Sequence, residues 1–371
     1  MRALFSILLC IVGLILALTT IETNAREVKP TAAIESAHKK PAIHNISSRI
    51  ALFDQSIEWA TSRAATDKII EEISSYGITL YIPCVWQGKG TYYPSTIAKP
   101  DSRLVSRIES GDDPLAYLLE KAREKGIAVH PWVTVVKRED NHMKSFFLEG
   151  TPQGAYDIHI PAFRVFIANL IVEMANKYNV DGINLDFIRS MGLCKSAACI
   201  TSYYEYTGQS LEADLLLRHT PSIKTRIGEW NGITLKDILV RIRSRINDSV
   251  IVSVDAHPLE SNMEFQGQFS VQWLNEGLID RIYDMRYGAN IDLEKIQLIR
   301  DSLEKPESLW ILISNAEKVG KRWEPRQSET ILAQLSTLSN RWPNIGLGIW
   351  HRPRITAEQA NLYKSLWNRK Q

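Results

Sequence analysis

Three aspartates close successive apolar stretches in the middle of the chain. Asp186 ends Gly182-Ile183-Asn184-Leu185-Asp186, Asp255 follows Val250-Ile251-Val252-Ser253-Val254, and Asp284 sits in Tyr283-Asp284-Met285-Arg286-Tyr287. Carboxyl groups gathered this way suit hydrolysis of a glycosidic bond, which needs one acid to protonate the leaving oxygen and one carboxylate as nucleophile or base. In a strand, period two puts Asn184 and Asp186 on the side opposite Ile183 and Leu185. An inward carboxylate is costly to bury without a role or a partner. Asp186 is therefore the predicted central catalytic residue, with a structural ion pair to Arg189 as its alternative role. Asp284 is the preferred second carboxyl because Arg286, two residues on, is placed to tune it. Asp255 and Glu317 are the other candidates, and a place in the polar ring of the fold is the alternative for all three. Asp181 precedes the strand and is expected to order a turn.

These carboxylates need strands to carry them. From residue 49 onward, short apolar runs alternate with amphipathic stretches, the pattern of repeated βα units. Strands are predicted over 49–53, 79–85, 128–133, 182–187, 250–254, 281–285, 309–314 and 345–350. Helices are predicted over 64–76, 114–125, 161–178, 235–246, 271–276, 293–303, 328–340 and 357–367. Gly77, Gly126 and Gly277 fall where helices would stop in a left-handed cap. Eight such units predict the α/β class and a closed (β/α)8 TIM barrel. An open doubly wound sheet would carry a glycine-rich first turn for a dinucleotide, and none follows the first strand. The connections over 134–160, after strand three, and 189–234, after strand four, are far longer than the rest. They are expected to wall a cleft on the catalytic face, with decorative insertion as the alternative.

Barrel sites draw on the C-terminal ends of several strands. Those ends present Asp54 and Gln55, Trp86 and Gln87, His130 and Trp132 with Lys137 and Arg138 beyond, Asp186 and Arg189, and Asp255 and His257. The last three present Asp284, Arg286 and Tyr287, then Asn315 and Glu317, then Trp350, His351 and Arg352. Trp86, Gln87, His130, Trp132, Arg189, His257, Arg286, Tyr287, Trp350 and His351 are the predicted substrate contacts. Aromatic rings there would stack on the apolar face of a sugar, and the polar groups would meet its hydroxyls. Tyr203, Tyr204, Tyr206 and Trp230 in the fourth connection extend the supply, while filling the core is the competing fate of any aromatic.

The start of the chain reads as a secretory signal over 1–25: basic Arg2, an apolar run over 4–18, and a polar end at Ala25, where cleavage is expected. An uncleaved anchor is the rival reading. Residues 26–48 are polar and aperiodic and are predicted to be a flexible extension ahead of one barrel domain over 49–371. A formal charge of +2 with 23% charged residues gives no nucleic-acid footprint. The protein is accordingly expected outside the cytoplasm, periplasmic or extracellular, with no permanent membrane span after cleavage. Cys194 and Cys199 could close a small disulfide loop there. Zinc is the weaker reading, since no second Cys/His pair at zinc-ligand spacing lies nearby. Cys84, in an apolar strand, reads as an inert core thiol.

Several stretches resemble, in order, the bacterial glycosyl-hydrolase-like proteins of family 10: 85–95, Asp113-Pro114-Leu115, 126–132, 178–189, Trp273-Leu274 with 277–280, and 283–287. The set spreads over most of 49–352. The resemblance implies a TIM barrel acting on a β-linked amino-sugar or related polysaccharide, such as peptidoglycan glycan strands or a secreted exopolysaccharide, and it places the family's strand-four aspartate on Asp186. The family commonly continues with a further acidic or aromatic residue and Tyr-Pro, where this chain reads Phe187-Ile188-Arg189-Ser190. In that respect it is similar to a neighbouring group that includes hydrolases of deacetylated-glucosamine polymers.

Two other functions compete with a hydrolase of polysaccharide or oligosaccharide. A metal-dependent hydrolase or deacetylase would draw on His130, His257 and His351. Such sites often use two histidines spaced by one residue on strand one, and 49–55 has none, so no metal and no cofactor is expected. A non-catalytic carbohydrate-binding barrel would keep the aromatics and dispense with the carboxylates.

Overall fold

The computed structural model describes residues 47–139 and 141–367. The predicted signal and residues 26–46 of the predicted extension lie outside the described residues. Strands β1 (Ile50–Asp54), β2 (Leu80–Trp86), β3 (Ala128–Val129), β4 (Trp132–Thr134), β5 (Gly182–Asp186), β6 (Ile251–Ala256), β7 (Arg281–Arg286) and β8 (Leu309–Ser314) are followed by β9 (Ala316–Val319), β10 (Arg322–Pro325) and β11 (Gly346–Trp350). Neighbours in the main sheet are parallel, and β1 pairs with both β2 and β11, which closes a (β/α)8 TIM barrel. The third barrel position is one strand in two pieces, β3 and β4. Pro131 lies between them, and a proline lacks the N–H that a continuous ladder would use. All eight predicted strands are present. β1, β2, β5 and β8 are buried at every position, as expected of a parallel sheet covered on its outer face by helices.

Local chemistry sets the helix ends. Ser62 accepts the Ala65 N–H at 3.0 Å, and Asp113 accepts the Ala116 N–H at 3.1 Å ahead of Pro114. Gly77, Gly126 and Gly277 adopt the expected positive φ, at 74°, 68° and 72°. The connection after β5 departs from expectation. It is built from helices Ala197–Thr207, Leu211–Leu216 and Pro221–Arg243, the last beginning well before residue 235. These helices enclose a satellite core that includes Tyr203 and Trp230, at 0% and 2% exposure, so those two aromatics are packing groups while Tyr204 and Tyr206 are exposed. The β9–β10 hairpin, which nothing in the sequence reading anticipated, rises directly after β8.

Alternation along the strands divides the barrel from its jacket. Phe53, Ile82, Cys84, Trp132, Tyr283, Met285, Trp310 and Leu312 fill the interior. At the lower end Trp310 lies against Arg281 and Arg49, with guanidinium carbons 4.0 and 5.0 Å from its ring centre. β11 passes close to that ring, because a side chain at Gly346 would overlap the indole. Among the described residues no helix is long and apolar enough to cross a membrane.

Candidate active site

Above this apolar plug the interior turns polar on two adjacent strands. Asn184 and Asp186 come from β5, Ser253 and Asp255 from β6. The register pairs Asn184 with Ser253 and Leu185 with Val254, so Asp186 and Asp255 stand level on strands about 4.8 Å apart. Asn184 Nδ2 donates to Ser253 Oγ at 3.1 Å and to Asp255 Oδ1 at 3.0 Å, which confirms that these residues share the inner face. Both carboxylates are buried, Asp186 at 7% exposure and Asp255 at 2%.

Burial is the main force raising both pKa values, and for Asp255 the charge of Asp186 comes next. Asp186 has the greater means of staying ionised: Arg189, the Phe187 N–H, Lys137 and the Trp132 indole all favour its charged form. The Phe187 N–H reaches Asp186 Oδ1 at 2.6 Å because Phe187 adopts φ of 51°, a left-handed conformation that costs a residue with a Cβ about 1–2 kcal/mol. Trp132 Nε1 is buried and has no partner by hydrogen-bond geometry, yet stands close enough to Asp186 to bias its titration. Arg189 and Lys137 both lie over the Phe187 ring, at 4.7 and 5.6 Å, and so flank the same carboxylate. Level carboxylates in one buried space cannot both ionise cheaply, and the charge of Asp186 disfavours ionisation of Asp255.

Half-buried aromatics border the mouth. Tyr287 stacks on Trp350 with centroids 5.3 Å apart, and Trp323 of the hairpin meets Trp350 edge-on at 5.1 Å. The charges of Asp255 and Asp186 both act on the Tyr287 hydroxyl, which places it beside the pair. His257 lies near Arg189 and Arg286, and burial together with those charges lowers its pKa to about 4. Gln87 donates to the Gln55 carbonyl at 2.6 Å, joining the ends of β1 and β2. Trp323, which meets Trp350 at the candidate site, was missed by the sequence reading, and the Gly320-Lys321 turn between polar, alternating flanks was its available signal.

Other predicted residues are placed elsewhere. Asp284 alternates with the inward Tyr283 and Met285 and therefore faces the jacket, where it pairs with Arg286 at 2.7 Å. Its pKa, pushed up to about 6 by burial against the pull of Arg286, responds to Lys295 and Glu260. Glu317 pairs with Glu324 in the hairpin, on the face opposite Trp323, whose cross-strand partner is Lys318. Trp86 belongs to the outer core: a register irregularity between Cys84 and Trp86 reverses the alternation, and its ring meets Phe166 at 5.9 Å. His130 lies at the lower end against Gly182, where a Cβ would come within 2.6 Å of its ring; burial lowers its pKa to about 3. His351 is buried with neither ring nitrogen bonded, stacked on Trp350 at 4.2 Å. At the end of β1, Asp54 is a structural anchor. It accepts the Tyr81 hydroxyl at 2.7 Å and is ion-paired with Arg352.

Cys194 and Cys199 are joined as a disulfide, and Cys84 is a buried free thiol. Among the described residues the metal-capable cluster is Asp157, His159, Cys194 and Cys199, and it includes none of His130, His257 or His351. A cleft of about 780 Å³ lined by Lys89, Lys99 and His142 lies apart from the carboxylate pair.

Among solved structures the chain is similar to the PgaB (BpsB) glycoside hydrolase domain from Bordetella bronchiseptica, at 12% identity and a TM-score of 0.64, covering 86% of this chain and 99% of that chain. It is also similar to a β-galactosidase from the psychrophilic Marinomonas ef1, at 10% identity, TM-score 0.58, and 86% and 59% coverage. A third is α-L-fucosidase isoenzyme 2 from Paenibacillus thiaminolyticus, at 13%, 0.55, and 87% and 49%. Likeness at these identities speaks for the shared barrel. No curated protein matches the chain by sequence. The model of the glycosyl hydrolase-like 10 family matches residues 50–318, a span that runs from β1 through the Asp186 and Asp255 strands into the hairpin. This chain, a carbohydrate-active (β/α)8 barrel, belongs to the glycosyl hydrolase-like 10 family.

Proposed function

We propose that the protein is an exported glycoside hydrolase that cleaves an amino-sugar polysaccharide, with Asp186 and Asp255 as its two carboxyl groups. The observation that carries this reading is the level, buried, mutually repelling pair at the C-terminal end of β5 and β6. Asp186, favoured as the ion by Arg189, Lys137 and the Phe187 N–H, is the nucleophile or base. Asp255, whose protonated form is favoured by burial and by the charge of Asp186, is the acid. Arg189, His257 and Tyr287 hold sugar hydroxyls around the reacting bond, while Trp350 and Trp323 offer ring faces to neighbouring sugars. The sequence resemblance to hydrolases of deacetylated-glucosamine polymers, and the signal-like residues 1–25, support the substrate class and export.

The test is incubation of the mature protein and its Asp186→Asn and Asp255→Asn variants with denuded peptidoglycan glycan strands and a panel of β-linked amino-sugar polymers, with released products identified by mass spectrometry. Oligosaccharides from the unaltered protein alone are expected. Binding by all three proteins without cleavage would replace this reading with a carbohydrate-binding barrel.

A further inference from the structure

The two long connections meet at a junction built from metal-ligand chemistry. Asp157 and His159 come from the segment before helix Pro161–Tyr178, and Cys194 and Cys199 from the segment after β5. One ligand atom from each lies within 4.8 Å of the others, and all four residues are buried. The approach of the segments is enforced by backbone. Lys195 N–H donates to the Gly150 carbonyl at 2.8 Å, and a Cβ at Gly150 would sit 2.7 Å from the Lys195 carbonyl.

The geometry points to a zinc-class divalent cation bound by Asp157, His159, Cys194 and Cys199 in the dithiol form of the protein. Three observations support it, none of which involves the glycosidase reading. First, Asp157 is a buried carboxylate without a full-time counter-charge. Among the described residues its ion-pair partner is His159, at 3.5 Å, which is charged only when protonated. Second, sulfurs in a disulfide carry no hydrogen. The Asp157 oxygens at 3.4 to 3.7 Å from Cys199 and Cys194 then face those sulfurs lone pair against lone pair, and His159 Nδ1 stands 3.2 Å from Cys199. A cation among them turns those approaches into bonds, and tetrahedral zinc needs ligand separations of about 3.3 to 3.8 Å. Third, the ligands are already oriented. The His159 ring lies flat on Trp230 at 3.8 Å and 10°, with Nε2 unpartnered, so no hydrogen bond at the far nitrogen decides the tautomer against coordination through Nδ1. Ser196 caps helix Ala197–Thr207 and donates to Asp157 at 2.6 Å, and Cys199 lies in that helix's first turn, where the dipole favours a thiolate.

Reaching the dithiol from the disulfide takes two electrons and two protons. A phosphine supplies the electrons and becomes its oxide with oxygen from water, and zinc then displaces the two thiol protons. The mature chain, reduced with a phosphine and checked for retained circular dichroism, is titrated with Co²⁺ and then Zn²⁺. One Co²⁺ per chain is expected, with a thiolate charge-transfer band and tetrahedral visible bands that Zn²⁺ abolishes. At hundredfold excess over its dissociation constant, Zn²⁺ raises Tm by about 4 °C. Cys199→Ser and His159→Ala each weaken zinc binding at least about 100-fold, while Cys84→Ser leaves it intact. A readout free of variants is alkylation mapped by peptide mass: zinc slows modification of Cys194 and Cys199 in the reduced wild type. The assignment is overturned if the reduced, folded chain takes no Co²⁺, if zinc leaves alkylation of Cys194 and Cys199 unchanged, or if the disulfide form binds the ion equally well.

Discussion

Asn184 is bonded to Asp255 across the β5–β6 boundary at 3.0 Å, two residues before Asp186 on the same strand. This bond favours the ionised form of Asp255 against burial and against the charge of Asp186. Asn184→Leu removes it, so the Asp255 proton should persist to higher pH. The limb of the pH–rate profile assigned to that proton moves up, and kcat falls about 10- to 100-fold, the worth of a hydrogen bond to a charged group. A profile that stays in place would remove Asp255 from the titrating machinery.

Asp255 and Asp284 follow one another on adjacent strands but face opposite sides of the barrel wall. Asp255→Asn is expected to lower kcat/KM by about 100- to 10,000-fold, the usual range for a general acid or base, whereas Asp284→Asn should stay within about threefold of wild type. Rates of oligosaccharide release from purified variants decide it. A large loss in Asp284→Asn with Asp255→Asn active would reverse the assignment.

Asp284 instead marks stability. Burial lifts its pKa from 3.8 to about 6 even beside Arg286. The folded chain therefore binds a proton that the unfolded chain has already released. The Asp284 contribution is fully present below the unfolded pKa and is lost as pH rises toward and through about 6, by roughly 3 kcal/mol in all. Urea unfolding of wild type and Asp284→Asn at about pH 4 and pH 7 isolates this term from carboxylates of opposite sign. Wild type should lose roughly that amount relative to the variant, and a pH-independent difference would count against a raised Asp284 pKa.

Trp323 reaches the mouth from the hairpin and touches Trp350 without touching either carboxylate. Trp323→Ala should raise KM for a long oligosaccharide about 3- to 10-fold with kcat preserved, in line with the small energy of one aromatic contact. Equal KM values for long and short substrates in both proteins would show that the hairpin does not meet the ligand.

Asp54 and Arg352 tie the first barrel strand to the turn after the last. Asp54→Ala leaves Arg352 buried with Glu58 and Glu72 as its remaining acidic neighbours. The expected cost is about 3 to 5 kcal/mol, read as a fall in the urea midpoint. Activity per folded molecule should be retained.

The barrel was legible because each of its strands is a short apolar run bounded by helix signals, and Asp186 was legible because alternation with Ile183 and Leu185 aimed it inward. Asp284 obeys the same alternation, but Tyr283 and Met285 are as apolar as the residues of the outer row, so the sequence does not say which row is inside. Trp86 escaped for a different reason: the irregularity between Cys84 and Trp86 breaks the parity on which such counting rests. Asp157 and His159 lie more than thirty residues before Cys194 and belong to another connection. A search for paired cysteines and histidines close in sequence cannot find ligands that converge only through folding.

The indole of Trp310, held between two guanidinium groups where Gly346 makes room for it, turns the barrel into a cul-de-sac. A ligand that reaches Asp186 enters and departs through the same doorway. A polymer cannot be threaded along the barrel axis, so under the proposed function a long glycan lies across the opening and dips a single linkage toward the carboxylates. Processive movement, where it occurs, would be sideways travel over the rim, along the line marked by Tyr287, Trp350 and Trp323.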